Sequence, residues 1–224
     1  MKHRFFVAMA GLVVLLVGIG AVSLLRTPPL QKTLVLSVPY ASQVPFGNWV
    51  APFDEACEET SAIMVQAYYN GKKTLVATDV RKKIQTIVAW ENTAFGDNTD
   101  TSASQTQKFI QQTLSFDTTI HTNPTIDDIK KELRASHPVI SFHNTHKLYR
   151  TSFLRGTYHV VVIIGYDDIT EEFIIHDPAR TNQHRFLYTS VMDSLRDFNV
   201  KNKLPDGTPT VLFTAPKKSH QSVL

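Results

Sequence analysis

The sequence contains a single cysteine, Cys57, among its 224 residues. An intramolecular disulfide is therefore impossible, and the fold must rely on its hydrophobic core. A lone cysteine is buried filler, a partner in an intermolecular bond or a reactive thiol. Free cysteine is often filler, because it behaves as a small apolar residue. The surroundings of Cys57 must decide among the three.

An excess of charge of one sign is also nearly absent. The formal net charge is +3, and Lys2, Arg4 and Arg26 supply three positive charges in a segment without an acid. Residues 27–224 are then formally neutral, so they lack the basic excess typical of a nucleic-acid-binding domain. No nucleic-acid partner is expected.

One long uncharged run is present, from Phe5 to Leu25. At about 1.5 Å per residue it can cross a hydrocarbon core of roughly 30 Å. Positive residues before it favour a cytoplasmic N-terminus and an exported body. We predict a single-pass protein of the cell membrane with an extracytoplasmic domain; cleavage of a signal peptide and secretion is the alternative. The predicted divisions are an anchor at 1–26, a linker at 27–34, one domain at 35–216 and a tail at 217–224.

Helical patterns precede strand patterns along the domain. Asp54 is a candidate N-cap for a helix from Glu55 to Asn70, which Gly71 would end. Further helices are predicted at 79–88, 102–114 and 125–136. A β-branched run at 157–168 and a short strand at 171–178 then form a hairpin. This order predicts an α+β fold, in which an N-terminal helical subregion packs on a C-terminal antiparallel sheet with a cleft between them.

Cys57 would occupy the third position of the first helix. The helix macrodipole favours a thiolate there, and the thiolate is the nucleophilic form of cysteine. Four nearby acids oppose ionisation of the thiol, namely Asp54, Glu55, Glu58 and Glu59. A reactive Cys57 therefore requires a histidine close by.

His159 and Asp177 are the candidates that strand alternation brings together. His159 opens the first strand of the hairpin, and Asp177 closes the second. If the turn centres on Asp168 the two residues lie opposite each other, and any even shift of register keeps them on one face. A carboxylate beside an imidazole fixes one ring nitrogen and leaves the other to accept a proton. His176 points to the opposite face and is interpreted as a core or surface histidine.

The segments "VPYASQVPFGNW", "DEACEETSAIM", "YHVVVIIGYDD" and "FIIHDP" occur in this order. Together they resemble the bacteriocin-processing-type cysteine peptidases, family thirty-nine of the cysteine peptidases, over roughly residues 35–215. The resemblance implies a papain-like fold and a peptidase or amidase that cleaves peptide-type amide bonds through a thioester. It implies a peptide or protein substrate and no cofactor or metal.

The same resemblance implies a role for each site residue. Cys57 would be the nucleophile, His159 the general base and then acid, and Asp177 the group that orients the imidazole. The Gln43 amide and the Cys57 backbone N–H would bind the oxyanion. The sequence departs from many relatives in having Glu58 and Glu59 where they have Gly-Pro. It also contains no transporter domain, so cleavage of a double-glycine leader coupled to export is not expected.

Other interpretations remain open. A non-catalytic relative could bind peptides or cell-wall material in the same cleft, and a transglutaminase-like acyl transferase would share the order of cysteine, histidine and aspartate. A zinc site could use His121, His137, His143 and His146, although "HNTHKLYR" is more typical of a polar loop. The Asp- and Asn-rich stretch before the third helix is interpreted as a capping loop rather than a calcium loop. Two roles are open for the aromatic residues Trp49, Trp90 and Tyr158, namely lining a peptide-binding cleft or packing in the core.

Overall fold

A computed structural model of the chain describes residues 32–97, 99–149, 158–180 and 182–217. The predicted anchor lies outside these residues, together with most of the linker and of the tail. Within the described ranges, no helix is both long and apolar enough to cross a membrane. The anchor therefore stays a prediction.

Six helices are described. Ser102 and Thr125 begin two of them with the reciprocal side-chain and backbone hydrogen bonds of a capping box, because a short hydroxyl side chain satisfies a free N–H of the first turn. The first of these confirms the capping loop. The helices are α1 (Cys57–Tyr69), α2 (Ala77–Phe95), α3 (Ala103–Thr113), α4 (Ile126–Arg134), α5 (Thr145–Tyr149) and α6 (Tyr188–Ser194).

The described strands form one sheet in which all neighbours are antiparallel, so the α+β class is confirmed. Its order is β2-β7-β3-β4-β5-β6, and β1 also pairs with β4. The strands are β1 (Thr33–Val35), β2 (Phe116–Thr122), β3 (Val139–Asn144), β4 (Tyr158–Asp167), β5 (Glu172–His176), β6 (His184–Leu187) and β7 (Thr210–Pro216).

Two elements differ from the sequence interpretation. The strand β2 has no counterpart there; it pairs along its whole length with β7, and His121 stacks on Phe213 with ring centroids 4.7 Å apart. The stretch "HNTHKLYR" is not a loop over its described part, since it ends β3 and forms α5. Short polar elements of this kind are stabilised by tertiary pairing rather than by local propensity.

The centre of the molecule is the contact between α1 and β4. Every residue of α1 from Cys57 to Ala67 is buried, and so is every residue of β4 from Tyr158 to Tyr166. A helix or a strand that is buried on all sides must be covered by other elements on every side, so α1 and β4 both lie in the interior. The residues at their ends are consequently shielded from bulk water.

A β-bulge sets the faces of the β4–β5 hairpin. Near the turn, Gly165 pairs with Ile174; beyond the bulge, Ile163 pairs with Ile175 and Val162 with His176. The turn-side register alone would place residues 159 and 177 on opposite faces. Because the bulge takes up one residue of β4, it restores matching parity. Asp177, the residue after His176, then lies on the face that carries His159. It is two residues from the position directly opposite His159, where the symmetrical turn would place it.

Gly165 lies beside this bulge, where β1 approaches β4. A Cβ atom at this position would lie 2.3 Å from the backbone oxygen of Leu34, so Gly165→Ala should push β1 away. We expect a loss of about 1–3 kcal/mol in unfolding free energy, the usual cost of overpacking. The Leu36 amide, which donates to the Ile164 carbonyl at 2.8 Å, should lose protection from hydrogen exchange.

Val35→Ala is the matched control for this prediction. Val35 is the β1 partner of Gly165 and its side chain is exposed, so its truncation should change stability by less than about 0.5 kcal/mol. Equal effects of the two substitutions would contradict the role assigned to the glycine.

Candidate active site

Cys57 is the first residue of α1, and Ala56 is its N-cap. A 3₁₀ turn, Phe53–Glu55, precedes it. The prediction that Asp54 caps this helix is wrong, because Asp54 lies inside that turn. Cys57 is therefore first rather than third in the helix, which still places it in the first turn, where the macrodipole acts.

The N-terminal turn of α1 binds the backbone of β4. Strand β5 ends at His176 opposite Val162, so β4 has no β5 partner at Val160. There the Val160 carbonyl accepts a 3.2 Å hydrogen bond from Ser61 Oγ, and the Val160 N–H faces the Cys57 thiol, where it acts to lower the pKa of that thiol. Side chains of α1 thus take the place of a strand, and they hold Cys57 beside the residue that follows His159.

His159 and Asp177 form a buried pair. His159 Nε2 lies 2.8 Å from Asp177 Oδ1, and the side chain of Asp177 is fully buried. An ionised carboxylate accepts hydrogen bonds only, so it selects the tautomer with a proton on Nε2. Nδ1 is then the nitrogen that can accept a proton.

Three more groups hold the Asp177 carboxylate. Tyr149 donates its hydroxyl to Oδ2, the Ala179 N–H donates to Oδ1 at 3.0 Å, and Arg180 Nε lies 3.9 Å from Oδ2. Burial alone would raise the pKa of Asp177, but the charge and hydrogen bond of His159, with those from Tyr149 and Ala179, bring that pKa below its usual value. Asp177 is consequently ionised at neutral pH.

Gln43 connects the segment that follows Asp177 to the 3₁₀ turn before Cys57. Its backbone N–H donates to the Pro178 carbonyl at 2.9 Å, and its side-chain Nε2 donates to the carbonyls of Phe53 and Asp54 at 3.1 and 3.0 Å. The structure therefore brings all four predicted site residues to one region. Both amide hydrogens of Gln43 are engaged, however, so the side chain braces the turn in this state.

The thiol of Cys57 is in a strongly acidic environment. It donates to Glu58 Oε2 at 3.0 Å. Burial, then the negative charges of Glu58 and Asp100, raise its pKa well above the ordinary value, against a smaller opposing effect of the Val160 N–H. The expectation that nearby acids oppose ionisation is confirmed for Glu58.

Glu58 belongs to a group of buried carboxyls at the start of α1. Glu59 and Glu91 are almost fully buried, and within the described residues neither oxygen of Glu91 has an N–H or hydroxyl donor. Glu59 can donate to Glu91 only as a protonated acid, and burial together with the charge of Glu91 raises the pKa of Glu59. Burial likewise raises the pKa of Glu91 to about 7 and that of Asp100 to about 8.

Other histidines have structural partners. His176 is buried, with Nε2 2.8 Å from the Val38 carbonyl and Nδ1 accepting from the Gln183 N–H at 3.1 Å, so of the two interpretations, core or surface histidine, the first is correct. His143 lies directly across from His159 on β3. Its ring nitrogens lie 2.8 Å from the hydroxyls of Ser141 and Ser194, and burial lowers its pKa to about 3. It is therefore neutral.

The zinc alternative gains no support from the described part of the chain, where no group of three or more His, Cys, Asp or Glu side chains could hold a metal ion. His137 instead lies 2.9 Å from Glu132. His121 lies 3.7 Å from Asp128.

A cavity of about 540 Å³ opens beside His159. Trp49 and Tyr158 line it, while Trp90 packs edge-on against Phe95 with ring centroids 5.3 Å apart. The guanidinium of Arg180 lies over the ring of Tyr149 at 4.1 Å, which places a cation beside the aromatic walls of the cavity. Among the described residues, those that line it are Trp49, Thr145, Tyr149, Tyr158, His159, Ala179 and Arg180.

Comparison with known proteins identifies the family and the fold. A family model described as "Peptidase_C39 like family" matches residues 35–220. The chain belongs to this family. A crystal structure described as a C39-like peptidase from Bacillus anthracis resembles it in fold, with a TM-score of 0.53 and 18% sequence identity, over 84% of this chain and all of that one. A search of curated proteins finds no match. The C39-like, papain-like fold predicted from the motifs is thus confirmed.

Sequence reasoning missed two contacts of this C39-like site. Tyr149 lies in the short helix α5, which has no recognisable local signal, yet it binds Asp177. The sequence identifies Glu58 only as one of several acids near Cys57, whereas in the structure its carboxylate accepts a hydrogen bond from the thiol. The side-chain direction of the residue after Cys57 depends on where the helix begins. A sequence pattern predicts that boundary only to within a few residues.

The buried carboxyls predict an unusual dependence of stability on pH. The pKa of Glu91 is raised to about 7 in the fold, above the value of roughly 4.3 for an exposed glutamate. Between these values the folded protein binds more protons than the unfolded chain, so stability is highest below the lower value and falls as the pH rises through the upper one. Glu91→Gln should therefore raise the unfolding free energy at pH 8 by about 1–3 kcal/mol and change little at pH 4.

Chemical denaturation at both pH values measures this effect. Asp117→Asn is the control, since it removes an exposed carboxyl from β2 and should alter neither value by more than about 0.5 kcal/mol. A Glu91→Gln effect of equal size at both pH values would show that the carboxyl is not titrating in the fold.

Proposed function

We propose that this C39-like domain is a cysteine peptidase that hydrolyses peptide-type amide bonds. The observation that carries the proposal is the buried His159–Asp177 pair, 2.8 Å apart, at the wall of a cavity and beside the helix that begins with Cys57. A nucleophile, a base and a group that orients the base are the parts required for acyl transfer through a covalent intermediate.

In the proposed reaction the thiol proton of Cys57 moves to Nδ1 of His159, and the sulfur attacks the substrate carbonyl carbon. The tetrahedral oxyanion collapses as the C–N bond breaks, and the departing amine takes the proton from the imidazolium. Water then attacks the thioester and gives a proton to His159, the acid is released, and Cys57 recovers its proton. Asp177 stays ionised and stabilises the imidazolium.

The oxyanion would be bound by the Cys57 backbone N–H and by Gln43. Because Gln43 Nε2 donates to the carbonyls of Phe53 and Asp54, its contribution requires one of those hydrogens to be shared with the substrate or exchanged. A donor of this kind contributes roughly 3–4 kcal/mol to the transition state. The aromatic cavity would receive a substrate side chain next to the scissile bond.

Activity tests the proposal. The full-length chain, in detergent micelles, is incubated with a peptide mixture, and new termini are identified by mass spectrometry. Cys57→Ser and His159→Ala should each reduce cleavage by roughly a thousandfold or more. His146→Ala is the histidine control, since His146 is exposed on α5, and it should cleave normally.

Three outcomes would contradict hydrolysis by this site. Cleavage that survives in Cys57→Ser would assign the activity elsewhere. Peptides that gain an added amine without gaining new termini would identify an acyl transferase. Absence of any Cys57-dependent reaction across a broad library would favour the binding alternative.

We also propose that residues 1–26 anchor the domain outside the cytoplasm, since the run from Phe5 to Leu25 follows positive residues. In a bacterial host, the full-length chain should remain with the membrane fraction and be digested by protease added to spheroplasts. A variant lacking residues 5–25 should stay inside and resist. Protection of the full-length chain in intact spheroplasts would refute the orientation.

A further inference from the structure

A second side chain touches the sulfur of the proposed nucleophile. Cys57 Sγ donates to Glu58 Oε2 at 3.0 Å, and both groups are buried, with 4% and 1% of their surface exposed. The thiol therefore already has an acceptor for its proton, apart from the imidazole of His159.

The direction of the Glu58 carboxylate is fixed from outside α1. Its other oxygen, Oε1, accepts from the Thr101 N–H at 2.6 Å and from Thr101 Oγ1 at 3.3 Å. The Thr101 carbonyl accepts from the Tyr158 hydroxyl at 2.8 Å, and Tyr158 precedes His159 on β4. The scaffold that positions the imidazole thus also aims Oε2 at the thiol, so the contact is built into the site.

The groups around Glu58 come from three further elements as well as its own helix. Burial raises the pKa of Glu58 to about 7, against the hydrogen bonds from Cys57 and Thr101. Asp100 feels the opposing positive charges of His159 and Lys203. The titratable groups that face this region are Cys57 and Glu59 on α1, Glu91 on α2, Asp100 in the following loop, and Tyr158 and His159 on β4.

We propose that Glu58 is a further catalytic residue, whose carboxylate holds Cys57 as the neutral thiol in the resting enzyme and whose loss of charge frees the thiolate. This inference rests on the proposed peptidase function. In the resting state the S–H bond is intact and its hydrogen is donated to Oε2. When the bond breaks, the proton passes to Nδ1 of His159 and the electron pair stays on sulfur, next to a carboxylate that repels it.

Glu58 and Asp177 therefore act in opposite directions on the same proton. Asp177 stabilises the imidazolium and favours transfer from Cys57, whereas Glu58 destabilises the thiolate and disfavours it. Neutralising Glu58, by protonation or by substitution, removes the repulsion and leaves a group that can donate a hydrogen bond to the thiolate.

The rate of iodoacetamide alkylation against pH tests the inference on the full-length chain in micelles. Glu58→Gln retains Oε1 as acceptor for Thr101 and removes the charge. It should alkylate at least about tenfold faster than the wild type at about pH 8.5, where Glu58 with its pKa of about 7 is ionised, equivalent to a drop of one unit or more in the pKa of Cys57. Glu59→Gln is the matched control: it is the next residue of α1, equally buried, and should stay within twofold of the wild type.

A Glu58→Gln rate equal to or below that of the wild type would overturn the inference. Should this variant fail to fold, ultraviolet absorbance of the thiolate in the wild-type chain, read against Cys57→Ser, decides instead. The inference requires no thiolate signal at about pH 8.5, where Glu58 is ionised, and a signal there would refute it.

These outcomes are separate from those of the peptidase proposal. A wild-type thiolate that His159→Ala removes would refute the role of Glu58 and favour the peptidase. A faster Glu58→Gln rate without any Cys57-dependent cleavage would retain the Cys57–Glu58 contact and refute the peptidase.

Discussion

The fold depends on what pairs with the N–H and C=O groups of β4 beyond the point where β5 ends. At Val160, where a neighbouring strand would pair, Ser61 of α1 donates to the carbonyl and the Cys57 thiol faces the N–H. An unpaired buried amide or carbonyl costs about as much as a lost hydrogen bond. The need to pair these groups therefore holds the start of α1 against β4, and the same contact places a thiol next to the strand that carries His159.

The α+β class could be predicted because it depends on hydrophobic periodicity, and the His159–Asp177 pairing could be predicted only as far as it depends on strand parity. Alternation along β4 and β5 fixes which side chains share a face, and any even register preserves the answer. The bulge at Ile164 could not be predicted. Without it the observed turn-side pairing of Gly165 with Ile174 would have separated the two residues, so the correct prediction depended on an irregularity that alternation alone does not reveal.

The start of α1 shows where sequence patterns stop. Asp54 has the chemistry of an N-cap, yet the chain makes a 3₁₀ turn there and the helix begins at Cys57. The side chain of Gln43 binds that turn, and the backbone of Gln43 binds Pro178, the residue after Asp177. Contacts distant in sequence therefore decide where α1 begins. The contacts of Tyr149 with Asp177 and of Glu58 with Cys57 also depend on packing between segments distant in sequence. A sequence pattern therefore does not identify Tyr149 and Glu58 as members of the site.

The protonation state of Cys57 follows from the size of the competing effects. A helix N-terminus stabilises a negative charge by about 0.3–1 kcal/mol at exposed sites and by up to about 2 kcal/mol at partly buried ones. Two unit charges of the same sign at 4 Å repel by roughly 4 kcal/mol at an effective dielectric constant of 20, and Glu58 lies closer, at 3.0 Å from the sulfur. The macrodipole therefore cannot offset an ionised Glu58. Only a protonated imidazole, or a proton on Glu58 itself, offsets this repulsion. In the proposed mechanism the two carboxyls that contact His159 and Cys57 would therefore together set when the thiolate forms.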